Sequence, residues 1–219
     1  MVVVKYARTG VGMFFAHSDV IRIWNRIFAI SGVSILPKSV SNPDKRIYFS
    51  LPTRVNVESY SEYVAIDTKE DDAVVKNKIE NNLPPWMDLI FVCETKERFS
   101  ISTINNCARY IISFDEYKTF KGKIKEFFAQ PEIYIDVELH GEKKHVNVKD
   151  RIFKVEYKDD EFVVFAGVNK QSVRIDELAK VLMKYLNKPW EQCSVIKAGL
   201  YVHENDTFKD IDEILKKAK

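Results

Sequence analysis

The chain is poor in the features that usually announce chemistry. Its three cysteines, Cys93, Cys107 and Cys193, stand far apart, with no Cys-x-x-Cys pair and no Cys/His cluster at metal-ligand spacing. That excludes a sequence-local zinc site and points to reduced, mostly buried thiols, with no metal and no cofactor expected. No apolar stretch approaches the roughly eighteen residues of a membrane span. The opening MVVVKYARTG has no basic segment followed by a long apolar run, so no secretory signal is read. A soluble, cytoplasmic protein without membrane contact is the expectation. Charge of one sign is also missing: 34 basic residues face 32 acidic ones, which argues against a globally basic nucleic-acid binder but not against a local patch.

The first quarter of the chain is locally basic. Residues 1–54 carry eight basic side chains (Lys5, Arg8, Arg22, Arg26, Lys38, Lys45, Arg46, Arg54) against two acids, Asp19 and Asp44. With 219 residues, 46% of them hydrophobic, the chain can bury one generous core or two small ones.

The apolar pattern gives the element order. A valine-rich strand at 2–7 is closed by Thr9-Gly10 and reopened by Met13-Phe14-Phe15. The intervening GVG lacks the Lys-Ser/Thr of a phosphate loop and reads as a plain turn. Ser18 or Asp19 can cap the next helix and Gly32 can end it. Between them Val20, Ile21, Trp24, Ile27 and Phe28 form one apolar face. Arg22 and Arg26 fall off that stripe, four residues apart, as a solvated surface or as a pair of guanidiniums for an anion. Strands at 46–50 and 62–67 follow, then a helix capped near Thr68 and carrying Ala73, Val74, Ile79 and Leu83. Pro84-Pro85 breaks it before a strand at 89–93. Strand, helix, strand, strand, helix, strand is the ferredoxin-like order.

The order then repeats without visible sequence similarity. Strands are expected at 110–114, 133–137, 152–157, 162–165 and 195–202, helices at 117–128 and 176–186, and a hairpin across Gly141 in HGEKKHVNV. The expected fold is α+β: two tandem ferredoxin-like (βαββαβ) halves, residues 1–104 and 105–205, each an antiparallel sheet covered by two helices. Residues 206–219 are expected to be a tail with a short helix.

Four segments, TGVGMFFAHSDVIRIWNR, VNVESYSEY, SVRIDELAKVL and IKAGLYV, together with IYFSLP, resemble the radical SAM-linked family, encoded beside or fused to cobalamin-binding radical SAM proteins. The resemblance covers nearly the whole chain and is most specific in the first half. Where the family has a Gly-Phe-Asn-Pro loop this chain keeps Asn42-Pro43, and Asn56 stands at a family glycine. No radical SAM Cys-x-x-x-Cys-x-x-Cys motif is present. The resemblance implies a radical SAM protein encoded nearby as partner.

Among side chains, His17 leads: at a helix start beside Asp19, within a turn of Arg22, it can hold or shuttle a proton near neutral pH. Glu58 and Glu62 can split acid and base roles, or pair with Arg22, Arg26, Lys45 or Arg46. Tyr48, Phe49, Tyr110 and Tyr134 offer a stacking face or fill the core. His140, His145 and His203 read as surface residues. Two functions result: a non-enzymatic RNA- or partner-binding module using Asp19, Arg22, Arg26, Lys45, Arg46, Glu58 and Glu62, or an RNA-processing endoribonuclease of the CRISPR repeat-processing type with His17 as general base. A purely protein-binding subunit is the third reading.

Overall fold

The computed structural model describes residues 1–39, 41–96, 100–139 and 141–218. The expected surface position of His140 lies outside the described residues. The elements run β1 (Val2–Arg8), α1 (His17–Ile30), β2 (Ile47–Phe49), β3 (Glu58–Ile66), α2 (Asp72–Glu80), β4 (Met87–Glu94), β5 (Cys107–Ser113) and α3 (Tyr117–Ala129). They continue with β6 (Tyr134–Leu139), β7 (Glu142–Asn147), β8 (Ile152–Tyr157), β9 (Phe162–Gly167), α4 (Ile175–Tyr185), β10 (Ser194–Glu204), β11 (Thr207–Asp210) and α5 (Ile211–Lys217). Among the described residues, no helix is long and apolar enough to cross a membrane.

Two separate antiparallel sheets were expected; one mixed nine-stranded sheet is found instead. Its path is β4-β1-β3-β10-β5-β9-β8, with β2 on β3 and β11 on β10. The join is short and parallel: Glu58 pairs with Ile196 and Ser59 with Lys197, while every other pairing in the sheet is antiparallel. Strand periodicity identifies a strand but not the edge it will share, which is why the fusion was not legible. The β6-β7 hairpin stands apart as a second, two-stranded sheet.

β1 is buried over its full length because both its faces are covered. Val2, Val4 and Tyr6 face a cluster with Val20, Trp24, Ile27 and Phe28 of α1 and Val75 and Ile79 of α2. Trp24 anchors it, edge-on to Tyr6 at 4.9 Å and tilted on Phe28 at 5.2 Å. Burying such rings contributes several kcal/mol by the usual ~25 cal/mol per Å² of apolar area. Val3, Tyr63 and Ala65 belong to the larger cluster, which continues through Ile211 and Leu215 of α5 to β5, α3 and α4. Alternate residues of one strand thus feed two cores.

Several local expectations shift. The N-cap of α1 is Ala16; Asp19 serves it from inside, accepting from the Ala16 N–H at 3.2 Å, while Gly32 at φ +63° ends the helix region as expected. In α2 the cap is Asp71 and not Thr68; Val75 and Ile79 turn inward, and Val74 is 41% exposed. The α2 pattern is too short for its apolar residues to fix a single face. Tyr110 is buried, and His203 stacks between Phe153 at 4.2 Å and Phe208 at 4.6 Å instead of standing free. That placement depends on β11, which pairs with β10 through His203 and Phe208 and was not foreseen.

Residues 206–219 were expected to form a tail with a short helix; the helix is α5, and it docks on the first half. Asp212 receives Lys5 Nζ at 2.5 Å and the Tyr63 hydroxyl at 2.7 Å, and Asp210 caps the helix by accepting from the Asp212 N–H at 2.8 Å. Lys5 and Tyr63 lie under it, 7% and 1% exposed. Asp212→Ala is therefore expected to strand a buried ammonium and hydroxyl and cost about 2–4 kcal/mol. Urea denaturation of the full chain checks this; a change below about 0.5 kcal/mol would mean that the helix is not docked as described.

Candidate functional site

The segments that carried the resemblance lie far apart in the chain and meet at the β3-β10 join. At its centre is Glu62, 5% exposed, which takes an ion pair from Lys197, itself 2% exposed. Glu62 also accepts the Ser59 hydroxyl at 2.6 Å and the Thr53 hydroxyl. β1 delivers Arg8, 2% exposed, whose guanidinium donates to the carbonyls of Phe15 at 3.1 Å, Thr53 at 3.2 Å and Arg54 at 3.4 Å. Arg8 Nε has no hydrogen-bond partner among the described residues. Arg54 in turn grips Asp176 at the start of α4, both Nε and Nη2 lying 3.2 Å from its carboxylate.

The GVG segment closes this network from above. It forms a 3-10 turn, Gly10–Phe14, as a plain turn should. Its glycine Gly12 has a steric reason: a Cβ there would lie 2.6 Å from Trp86 Cε3 and 3.0 Å from Arg8 Cγ. Trp86 can therefore close over the Arg8 stem, stacking on Phe15 at 4.8 Å. The turn is pinned at both ends, by Gly10 N–H donating to Glu58 Oε1 at 2.7 Å and by Asn56 N–H donating to the Met13 carbonyl at 3.0 Å. Asn56 holds φ at +66°, a left-handed conformation that glycine adopts freely and asparagine tolerates.

Electrostatics follow from burial. Burial alone would push the Glu62 carboxyl up, but Lys197 and Arg8, with the hydrogen bonds from Lys197 and Ser59, outweigh it and hold it below the ordinary range. Burial draws the Lys197 ammonium down and Glu62 opposes it, while Arg8 and Lys5 add repulsion. His17 sits half-buried at the rim, edge-on to Phe49 at 5.9 Å. Its imidazole is pulled below the ordinary value by partial burial; Glu62 resists and Arg8 assists.

The other expected residues divide cleanly. Glu58 and Glu62 were expected to pair with Arg22, Arg26, Lys45 or Arg46; both instead turn to the join. Arg22 points outward and meets Asp19 at 3.1 Å, its side chain 79% exposed. Arg26 and Lys45 are exposed. Arg46 is committed locally, to Asp67 at 3.4 Å and the Lys38 carbonyl at 2.8 Å. Sequence reading missed Arg8, Thr53, Arg54, Asp176 and Lys197; the one signal was that all five fall in or beside resembling segments. Among the described residues, no three His, Cys, Asp or Glu side chains gather as a metal site requires.

A family model described as an uncharacterised protein conserved in bacteria, DUF2344, matches residues 2–180. The chain belongs to this family. The DUF2344 match takes in Arg8, His17, Glu58, Glu62 and Asp176 and ends within α4, before Lys197. No curated protein matches the chain. The family description names no activity and no partner, so the radical SAM link is an expectation of the resemblance and not of this match.

Two outcomes are expected. Glu62→Gln leaves Lys197 and Arg8 buried without their carboxylate and should cost about 3–5 kcal/mol, whereas the double change Glu62→Gln/Lys197→Met should recover a large part of it. A double-mutant cycle in urea measures this, and additive losses would refute the coupling. For His17, the folded value lies below the unfolded one, so the unfolded chain binds the proton first and acidification favours unfolding. The wild type should therefore lose stability relative to His17→Gln as pH falls below about 6.5, read from urea midpoints at several pH values; parallel pH profiles would contradict it.

Proposed function

We propose that this chain is a non-enzymatic RNA-binding accessory module, cytoplasmic, working beside a radical SAM enzyme that modifies RNA, with the outer face of α1 as its contact surface. The observation that carries the proposal is a partition of charge. Glu58 and Glu62, the carboxylates nearest in sequence to the basic region, are used inside the join. The arginines they would have neutralised stay in water, with Asp19 as the partner of Arg22. Exposed Lys45 can extend the platform, while Arg46 is held by Asp67 and adds less.

The strand orders β4-β1-β3-β2 and β10-β5-β9-β8 support reading the sheet as two ferredoxin-like units, residues 1–104 and 105–205, fused edge to edge. In RNA-binding domains of that kind the open sheet face stacks bases. Here Tyr110 is buried and α5 lies on Tyr63, which favours the helix face over the sheet.

One observation favours a second reading, the CRISPR-type endoribonuclease. His17 is kept neutral near pH 7, the state a general base needs, on a half-buried ring beside the α1 N-terminus. Arg22 or Lys45 would then stabilise charge on the phosphate.

Labelled small cellular RNA, titrated with the protein at about 50 and about 200 mM salt, tests both. With about four phosphates neutralised and a slope of ~0.7 per phosphate on single strands, affinity should fall roughly fiftyfold over that range. Arg22→Glu/Arg26→Glu should weaken binding and flatten the slope. Absence of binding at the lower salt overturns both readings and leaves a protein-binding subunit. Cleavage that stops in His17→Ala while binding persists selects the nuclease.

A further inference from the structure

The 3-10 turn Gly10–Phe14 faces a second one, Trp190–Gln192, across a cleft of about 570 Å³. Its walls come from both sides of the join, and its size is that of a small-molecule site, roughly 300–1,000 Å³. We propose that this cleft binds a small organic cation, an ammonium group on an apolar or aromatic body. The inference is independent of RNA binding.

The lining chemistry sets the ligand class. Met13, Phe14 and Trp190 supply apolar and aromatic surface, Glu58 and Glu191 supply carboxylates, and among the described residues no lysine, arginine or histidine lines the cleft. Phe14 is 58% exposed, a large ring left in water at the edge of a cavity. Trp190 already accepts an ammonium on its ring, with Lys180 Nζ 5.6 Å from the centroid. That lysine is paired with Glu177 at 2.9 Å and does not line the cleft. Aromatic faces and carboxylates together favour a cation and repel an anion.

The site is held ready. One Glu58 oxygen is fixed by the Gly10 N–H at 2.7 Å, and the Asn56 N–H bond to the Met13 carbonyl ties the neighbouring loop to the same turn. The carboxylate is therefore placed before any ligand arrives, which lowers the entropy cost of binding.

The test uses three isosteric probes on the full chain: tyramine, neutral tyrosol and anionic 4-hydroxyphenylacetate, followed by calorimetry. Tyramine should bind about tenfold or more tighter than tyrosol, the worth of one good charge contact, and the anion should not bind. Glu191→Gln, on an exposed turn, and Glu58→Gln should each erase much of the tyramine advantage and leave tyrosol unchanged. Cys193 also lines the cleft, whereas Cys93 and Cys107 are buried. Tyramine should accordingly slow maleimide labelling of Cys193. Equal binding of all three probes, no binding of tyramine at millimolar concentration, or binding that leaves Cys193 labelling and the Glu191→Gln variant unaffected overturns the proposal.

Discussion

A buried ion pair between Glu62 and Lys197 holds the β3-β10 join, and the rest of the molecule is arranged around it. The parallel pairing there spans two positions, too few for backbone hydrogen bonds alone to unite the four strands on one side with the five on the other. Removing two charges from water costs several kcal/mol each unless the geometry is good and the spare hydrogen-bonding capacity is filled. Ser59 and Thr53 fill it for the carboxylate, and Arg8 adds a second positive charge while its own donors go to loop carbonyls. Because each partner comes from a different element, the network forms only when all of them are in place. It links the two ends of the sheet into one object.

The same constraint decides what the surface presents. Glu58 and Glu62 are drawn into the join, so on the outer face of α1 Arg22 has Asp19 as its partner and Arg26 is exposed. The loop residues that close over Arg8 also build one wall of the cleft, and the Trp190–Gln192 turn before β10 builds the other. A basic outer face and an acidic, aromatic cleft therefore arise from one packing solution. His17, half-buried at the start of α1, is close enough to Arg8 and Glu62 to feel both charges.

Element identities were legible where periodicity was long. The α1 stripe of Val20, Trp24, Ile27 and Phe28, the α3 stripe of Ile124, Phe127 and Phe128, and the hairpin across Gly141 all follow from spacing alone. Short or partnered features were not: α2 is capped by Asp71, three residues past the cap read at Thr68, and β11 was missed because four residues carry little pattern. The site was half legible. His17, Glu58 and Glu62 stood out by type, but the partner of Glu62 is a lysine 135 positions away on a strand whose edge no local pattern specifies. Arg8 was only counted among the basic residues and Asp176 only marked a helix start, because burial of a charge depends on tertiary partners that a local pattern does not specify.

Native-state hydrogen exchange on the full chain tests most directly whether the join makes the two strand sets one cooperative unit. The account predicts that the slowest amides of β1 and β3 and those of β5 and β9 open with the same free energy and lose protection together in Glu62→Gln. Two groups of amides with clearly different opening free energies, and a Glu62→Gln effect confined to one group, would contradict it.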